Sequence, residues 1–292
     1  MRLEARAKIN WTLDITGVRQ DGYHLMDMLM QPVTLVDAID LQEADDISLC
    51  IEDSPNPALP ALPADETNLM WRAARALQQA TGTRKGVSMR LQKCIPSQAG
   101  LGGGSADAAA VLVGLNQLWQ LHLPQEDLER IGLTLGADVP FCIRGGFCRV
   151  QGIGEVLTDL PAPPERWLVI VQPCAGLSTG AVFRAYHAAE TVRHPDTEAA
   201  LQALLSGSEH LPLGNVMQEV STAMRPEIPE AVERFLASGA IAAQMSGSGS
   251  AVFGVFRNEE DAKRAQITLQ ALYGQAHLCH TCSESVIITS LL

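Results

Sequence analysis

The chain has 292 residues, 47% of them hydrophobic and 18% charged, an ordinary balance for a folded protein long enough to bury a core in two domains or one large one. Its net charge of −12 argues against recognition of a nucleic-acid backbone, which calls for basic patches, but leaves small anionic substrates open because a local site can override the global sign. Seven scattered cysteines, an odd number, predict a reducing compartment instead of a disulfide framework. With no signal-like start and no apolar run of membrane-spanning length, the expectation is a cytoplasmic protein that binds neither nucleic acid nor membrane.

The opening EARAKINWTLDITG alternates as a strand, with Ile9, Trp11, Leu13 and Ile15 assigned to one face, while Lys8 and Asn10, two apart, also share a face. Asp21-Gly22 in RQDGY marks a turn, and LMDMLMQPVTLVDAIDLQEADDISLCIED reads as further strand. The surface loop SPNPALPALPADETN leads into the helix NLMWRAARALQQATG, with Asp65 or Thr67 as its cap and Gly82 as its end. GVSMRLQKCI is a strand that feeds a glycine loop, and an alanine-rich helix then runs to about Trp119. PQEDLERIGLTLG is a second helix with Pro124 near its first turn. In GADVPF, Asp138 falls between a helix end and a strand begun by proline, and FCIRGGFCRVQGIGEVLTDL reads as two strands with glycine turns. LPAPPER is the linker and divides the chain into residues 1–160 and 161–292. Beyond it come a buried strand, WLVIVQP, three helices, STGAVFRAYH, DTEAALQALLSG and IPEAVERFLASG, and a strand, glycine turn and strand in AIAAQMSGSGSAVFGVF. An amphipathic helix, NEEDAKRAQITLQALYG, and one last strand, HLCHTCSESVII, complete the chain.

Four of the five residues from Gly100 to Gly104 are glycine, directly ahead of a helix. Without Cβ atoms such a loop lets backbone N–H groups approach an anion, and the helix adds its positive end, so a phosphate cradle is the reading. The alternative is a flexible turn with tight helix packing. The lysine of a Walker loop is absent, and Ser105 stands where a dinucleotide fingerprint counted from Gly100 needs glycine. Asp138 is a candidate general base against the plainer reading of a turn aspartate. Tyr23 and His24 in DGYH are suited to stacking on a planar ring and bonding its edge, or are an exposed aromatic turn. Gly247, Ser248 and Gly249 form a second glycine loop that closes over substrate or is a plain hairpin turn. Cys279 and Cys282 make a C-x-x-C with no second pair, so no closed zinc site is expected, and metal ligands stay unassigned.

Together these motifs resemble a known family. PSQAGLGGGSADAAA is similar to the second motif of the galactokinase, homoserine kinase, mevalonate kinase and phosphomevalonate kinase superfamily. AKINWTLDITGVRQDGYHLMDMLMQ resembles the N-terminal signature of the 4-diphosphocytidyl-2-C-methyl-D-erythritol kinases, and LTLGADVPFCIRGG and MSGSGSAVFG match that family's later motifs in order. The resemblance implies an α+β, two-domain small-molecule kinase fold: an N-terminal domain like ribosomal protein S5, a ferredoxin-like C-terminal domain, and an active-site cleft between them. It implies ATP-dependent phosphorylation of a hydroxyl on a cytidine-diphosphate-linked sugar alcohol, with magnesium, by a monomer or weak homodimer. Lys8 and Asp138 match the catalytic pair. Asn10, Tyr23, His24, Thr179 and Phe183 match substrate positions, Tyr23 and Phe183 flanking cytosine. Asn68 and Lys93 match positions near adenine. Pro96, Ser97, Gln98, Ala99, Gly100, Leu101, Gly102, Gly103, Gly104, Ser105 and Ala106 match the ATP-phosphate loop, with Ser105 a candidate magnesium contact. Ser97-Gln98, Ala106 and Gly180 depart from the family pattern. The aromatic pair favours a nucleobase substrate over mevalonate or homoserine, and the intact Lys8, Asp138 and glycine loops speak against a catalytically idle ligand-binding member.

Overall fold

Two long strands, β1 (Arg2–Val18) and β2 (His24–Ala44), pair antiparallel around a turn at Gly22, whose φ of +88° suits glycine. The computed structural model describes residues 1–52, 62–188 and 192–290, so positions 54–61 of the expected proline-rich loop lie outside the described residues. After β3 (Ile47–Ile51) come helix α1 (Leu69–Thr81), β4 (Gly86–Gln92), α2 (Gly103–Leu118), α3 (Gln125–Leu133), the short α4 (Val139–Arg144), β5 (Phe147–Gly152) and β6 (Val156–Leu160). The second half adds β7 (Trp167–Val171), α5 (Thr179–Ala188), α6 (Thr197–Leu205), β8 (Gly214–Asn215), α7 (Val216–Met224), α8 (Glu227–Ala237), β9 (Ala242–Met245), β10 (Val252–Phe256), α9 (Glu259–Tyr273), β11 (His277–His280) and β12 (Val286–Ser290).

These strands form two sheets. The larger has eight strands, with the path β12–β1–β2–β4–β3, β5 on β2, β6 on β5, and β8 parallel to β1. The smaller is antiparallel in the order β11–β7–β10–β9. The expected last strand is therefore two strands, one in each sheet: β11 completes the small sheet, and β12 returns to pair with β1. No helix among the described residues is long and apolar enough to cross a membrane.

Strand β1 does not keep one face. Its register against β2 shifts between Arg6 and Lys8 and again between Asn10 and Thr12. Leu3, Ala5, Leu13 and Ile15 pack with α2 in one core, whereas Ala7, Ile9 and Trp11 pack with Leu168, Ile170, Phe253 and Val255 of the small sheet in another. The expectation of a single face for Ile9 through Ile15 is thus corrected. The irregularities turn residues 7–11 over, and Lys8 and Asn10 face α2 as a result, the usual effect of a bulge on side-chain direction.

Local caps explain other departures. Asn68, not Asp65 or Thr67, caps α1, accepting from the Met70 N–H at 2.9 Å. Asp65 instead accepts from the N–H and hydroxyl of Thr67 in the preceding turn. Gly82 ends α1 with φ of +72°, as expected. The residues after Asp138 form helix α4 where a strand was expected, with Pro140 in its first turn, where the missing N–H costs nothing. Helix α2 is buried on nearly every side along Ala106–Leu112, so small residues hold its first turn rigidly between sheet and neighbouring helices.

Trp11 ties the two sheets. It is fully buried, meets Phe253 edge-on at 5.7 Å, and donates through Nε1 to Gln31 Oε1 at 2.9 Å. Trp11→Ala is expected to lower stability by about 3–5 kcal/mol in urea unfolding; a loss below about 1 kcal/mol would contradict this packing.

Candidate functional site

A cleft of about 980 Å³ opens between the two halves. Its walls bring together Lys8, Asn10, Tyr23, His24, Asn68, Lys93, Pro96 through Ser105, Asp138, Thr179, Phe183 and Gly247 to Gly249. Ala106 is the one predicted site residue outside that lining: it is fully buried in the core around α2, since the helix has turned it inward.

The centre is Lys8. Its ammonium donates to Asn10 Oδ1 at 2.7 Å and to the Gly100 carbonyl at 2.9 Å, and lies 3.5 Å from Asp138 Oδ2. The lysine side chain is 5% exposed and that of Asp138 33%, so the carboxylate is the member of the pair that meets solvent. The Lys8 stem passes under the glycine loop, where a Cβ on Gly102 would stand 2.9 Å from its Cγ. The Lys8 backbone also bonds the loop, its N–H reaching the Leu101 carbonyl at 3.0 Å.

The glycine loop ends in α2, whose N-cap is Gly102 with φ of +69° and no side-chain cap. The residues of this first turn line the cleft, and their amides have no side-chain acceptor from the cap residue, an arrangement that favours an anion at a helix start. Gln98 takes φ of +52°, a region that favours glycine, at one of the positions where the sequence departs from the family pattern. The Gln172 side chain steadies this stretch by donating to the Ser97 carbonyl at 3.3 Å.

The second glycine loop packs backbone to backbone on the first. A Cβ on Gly100 would overlap the Ser246 carbonyl, and one on Gly247 would stand 2.9 Å from the Gly100 carbonyl oxygen. Ser246 Oγ donates to the Gly100 carbonyl at 3.0 Å, and the Ala251 N–H to the Ala99 carbonyl at 3.0 Å. Asn215 holds the turn through the carbonyls of Met245 and Gly247, at 2.9 and 2.8 Å. Thr179 and Ser248 hydroxyls meet at 3.0 Å. The sequence reading missed Asn215, Ser246 and Gln172. An asparagine at a strand–helix junction is a capping signal, and Asn215 does cap α7, but nothing local reveals its bond to a distant turn.

At the far end, His24 lies over Phe183, ring centroids 4.2 Å apart and planes 22° apart, and its Nε2 is 2.8 Å from His187 Nε2. Burial and the neighbouring His187 hold His24 below the usual imidazole range. Tyr23 is 58% exposed with the Arg19 guanidinium over its ring, so His24 and not Tyr23 covers Phe183. Near α1, Asn68 lines the cleft with both polar ends engaged, its Oδ1 with Met70 and its Nδ2 with the Pro63 carbonyl. Lys93 is 4% exposed, and its ammonium binds Asp37 and Asp107. Burial disfavours that charge, but the two carboxylates outweigh it and raise the lysine; burial, with Asp37 nearby, pushes the Asp107 carboxyl up from the ordinary carboxylate range.

Residues 68–146 match the family model "GHMP kinases N terminal domain", and residues 188–275 match "GHMP kinases C terminal". The 4-diphosphocytidyl-2-C-methyl-D-erythritol kinase of Alkaliphilus metalliredigens is 40% identical over 287 residues, 97% of each chain. That of Carboxydothermus hydrogenoformans is 42% identical over 92% of this chain and 93% of its own. The crystal structure of a 4-(cytidine 5'-diphospho)-2C-methyl-D-erythritol kinase matches with a TM-score of 0.82 at 34% identity, over 96% of this chain and 99% of that one.

Gly100 and Gly146 have nearly equal φ, +77° and +73°, but only Gly146 has open space where a Cβ would go. Alanine at Gly146 is expected to cost the ~1–2 kcal/mol of a left-handed residue. Alanine at Gly100 is expected to cost more, because the two loops must part. Equal losses in denaturant unfolding would contradict the backbone contact.

Proposed function

The chain belongs to the 4-diphosphocytidyl-2-C-methyl-D-erythritol kinase family, and we propose that its cleft transfers the γ-phosphoryl group of ATP to a hydroxyl of 4-diphosphocytidyl-2-C-methyl-D-erythritol, a step of non-mevalonate isoprenoid precursor synthesis. The observation that carries this reading is the Lys8 ammonium held 3.5 Å from Asp138 and 2.9 Å from the carbonyl of Gly100 in the glycine loop, in a chain similar to such kinases over nearly its whole length. Residues 1–160 supply the nucleotide side and residues 161–292 complete the substrate side. The enzyme works in the cytoplasm, as a monomer or weak homodimer.

The β- and γ-phosphates lie against the amides of Gly102 to Ser105 at the positive end of α2. Adenine sits beyond them, beside the turn that Asn68 braces. The acceptor hydroxyl lies between Asp138 and the γ-phosphorus. Its oxygen bonds phosphorus as the bond to the ADP oxygen breaks, and its proton passes to Asp138. Lys8 orients Asp138 and the nucleophile and offsets charge developing on the transferred group. Asn10 and the Gly100 carbonyl fix the ammonium in turn.

Magnesium fits as an ion carried in on the phosphates. No cluster of three His, Cys, Asp or Glu side chains among the described residues makes a cage of its own. The Ser105 hydroxyl lies in the cleft wall beside the Asp138 loop, 3.8 Å from where a Cβ on Gly136 would stand. Ser105 would hold the ion, which supplies charge neutralisation on the phosphates when bound.

The cytosine ring stacks on Phe183 in the space that the His24 ring covers in this conformation. Tyr23 closes over its other side, His24 turns to the base edge, and Thr179 and Ser248 flank the remainder of the substrate. The test is ADP release from ATP with the cytidylylated sugar alcohol, mevalonate or homoserine as acceptor. Turnover with the first alone is expected; turnover with either of the others instead would overturn the assignment.

Two variants test the roles. Asp138→Asn keeps shape and removes the base, so kcat should fall ~10²–10⁴-fold with ligand binding retained; a near-wild-type kcat would remove Asp138 from the role. Phe183→Ala should raise KM for the cytidylylated substrate about ten- to a hundredfold and leave KM for ATP nearly unmoved. Equal shifts in both constants would place the base elsewhere.

A further inference from the structure

Behind the glycine loop lies a buried cluster that the steps above do not use. Asp37, on β2, is fully buried, and both its oxygens are engaged. Its Oδ1 accepts from the backbone N–H groups of Cys94 and Ile95 at 2.6 and 2.8 Å, and its Oδ2 accepts from the Lys93 ammonium. Lys93 also donates to Asp107 Oδ2 at 2.7 Å. Residues 93–95 are where the chain leaves β4 for the glycine loop, and Asp107 stands in α2 just after it. Both ends of the loop are therefore tied to one ammonium. Gly103 lies so near that a Cβ there would stand 3.0 Å from Lys93 Nζ.

We propose that Asp37, Lys93 and Asp107 are positioning residues for the phosphate loop, fixing its two ends against each other and so presetting the spacing of the amides that receive the nucleotide. This rests on the kinase reading above and deepens it. A loop of glycines has many conformations to lose on binding, and a fixed frame removes that cost before the nucleotide arrives. The frame is anchored on rigid elements, β2, β4 and α2, and a buried carboxylate and ammonium are costly to separate once paired.

The two carboxylates do not carry equal weight. Asp37 serves three donors, two of them backbone amides; an asparagine would turn an N–H group toward a donor and strand it. Asp107 serves one donor, and its buried Oδ1 finds no partner among the described residues. Asparagine at 107 keeps the one acceptor that Lys93 needs, whereas leucine removes it.

The test compares Asp37→Asn, Asp107→Asn and Asp107→Leu by KM for each substrate, kcat, and hydrogen exchange of the amides of residues 94–104. Asp37→Asn is expected to raise KM for ATP about ten- to a hundredfold, to leave KM for the cytidylylated substrate within about threefold, and to speed exchange in the loop ahead of the core. Asp107→Leu should raise KM for ATP about tenfold, and Asp107→Asn should bring it back to within a few-fold of wild type. If Asp37→Asn does not fold, the Asp107 pair decides. An unchanged KM for ATP in Asp37→Asn, equal shifts for both substrates, or an Asp107→Asn no better than Asp107→Leu would overturn the positioning role. The wild-type control separates the two readings: normal ADP release by wild type, together with any of those results, sinks the frame and leaves the kinase assignment standing.

Discussion

The carbonyl oxygen of Gly100 is the point on which the site depends. It accepts from Lys8 Nζ at 2.9 Å and from Ser246 Oγ at 3.0 Å, so one backbone atom joins the first strand, the first glycine loop and the loop of the second half. The approach is close enough that neither Gly100 nor Gly247 leaves room for a Cβ, and both have positive φ, +77° and +55°. The buried Lys8 ammonium donates to Asn10 and Gly100 and lies 3.5 Å from the Asp138 carboxylate, so two of its N–H groups are bonded and its charge has a counter-ion. A charge at 4% exposure is tolerable only on such terms.

From that point the two halves divide the work. The first half supplies amides at the start of α2 and the Lys8–Asp138 pair; the second clamps the loop from above through Ser246, Gln172 and Ala251. Phosphoryl transfer asks for positioning and neutralisation more than for covalent participation, and several polar side chains around the cleft hold backbone in place. Asn215 holds the second loop, Asp37 the start of the first, and Asn68 the turn before α1. The Phe183 end is different: its contacts are ring on ring with a histidine pair, an arrangement that one planar ring can enter by displacing another.

Most helices and strands were legible because their signals are local. Gly82 ends α1 and the glycine run opens α2 as the spacing implied. Lys8, Asp138 and both glycine loops were legible as candidates, since their residue types suit the chemistry and their motifs resemble a family. What was not legible depended on contacts distant in sequence. The turning of residues 7–11 arises from pairing with β2 and packing on the small sheet, and alternation alone reads straight through it. Helix α4 begins at a valine and proline that also suit a strand. Strand β12 pairs with β1 across nearly the whole chain, so no local pattern separates it from β11. Lys93 matched a nucleotide position by motif, yet its partners Asp37 and Asp107 lie 56 and 14 residues away, and only the fold brings them to it.

The most direct measurement is a crystal structure of the enzyme with a non-hydrolysable ATP analogue and the cytidylylated sugar alcohol. The γ-phosphate should lie against the amides at the start of α2, within reach of Lys8, with one substrate hydroxyl within about 3.2 Å of an Asp138 oxygen and in line with the phosphorus. A γ-phosphate bound away from the glycine loop, or an acceptor hydroxyl facing some other group with Asp138 out of reach, would contradict the account.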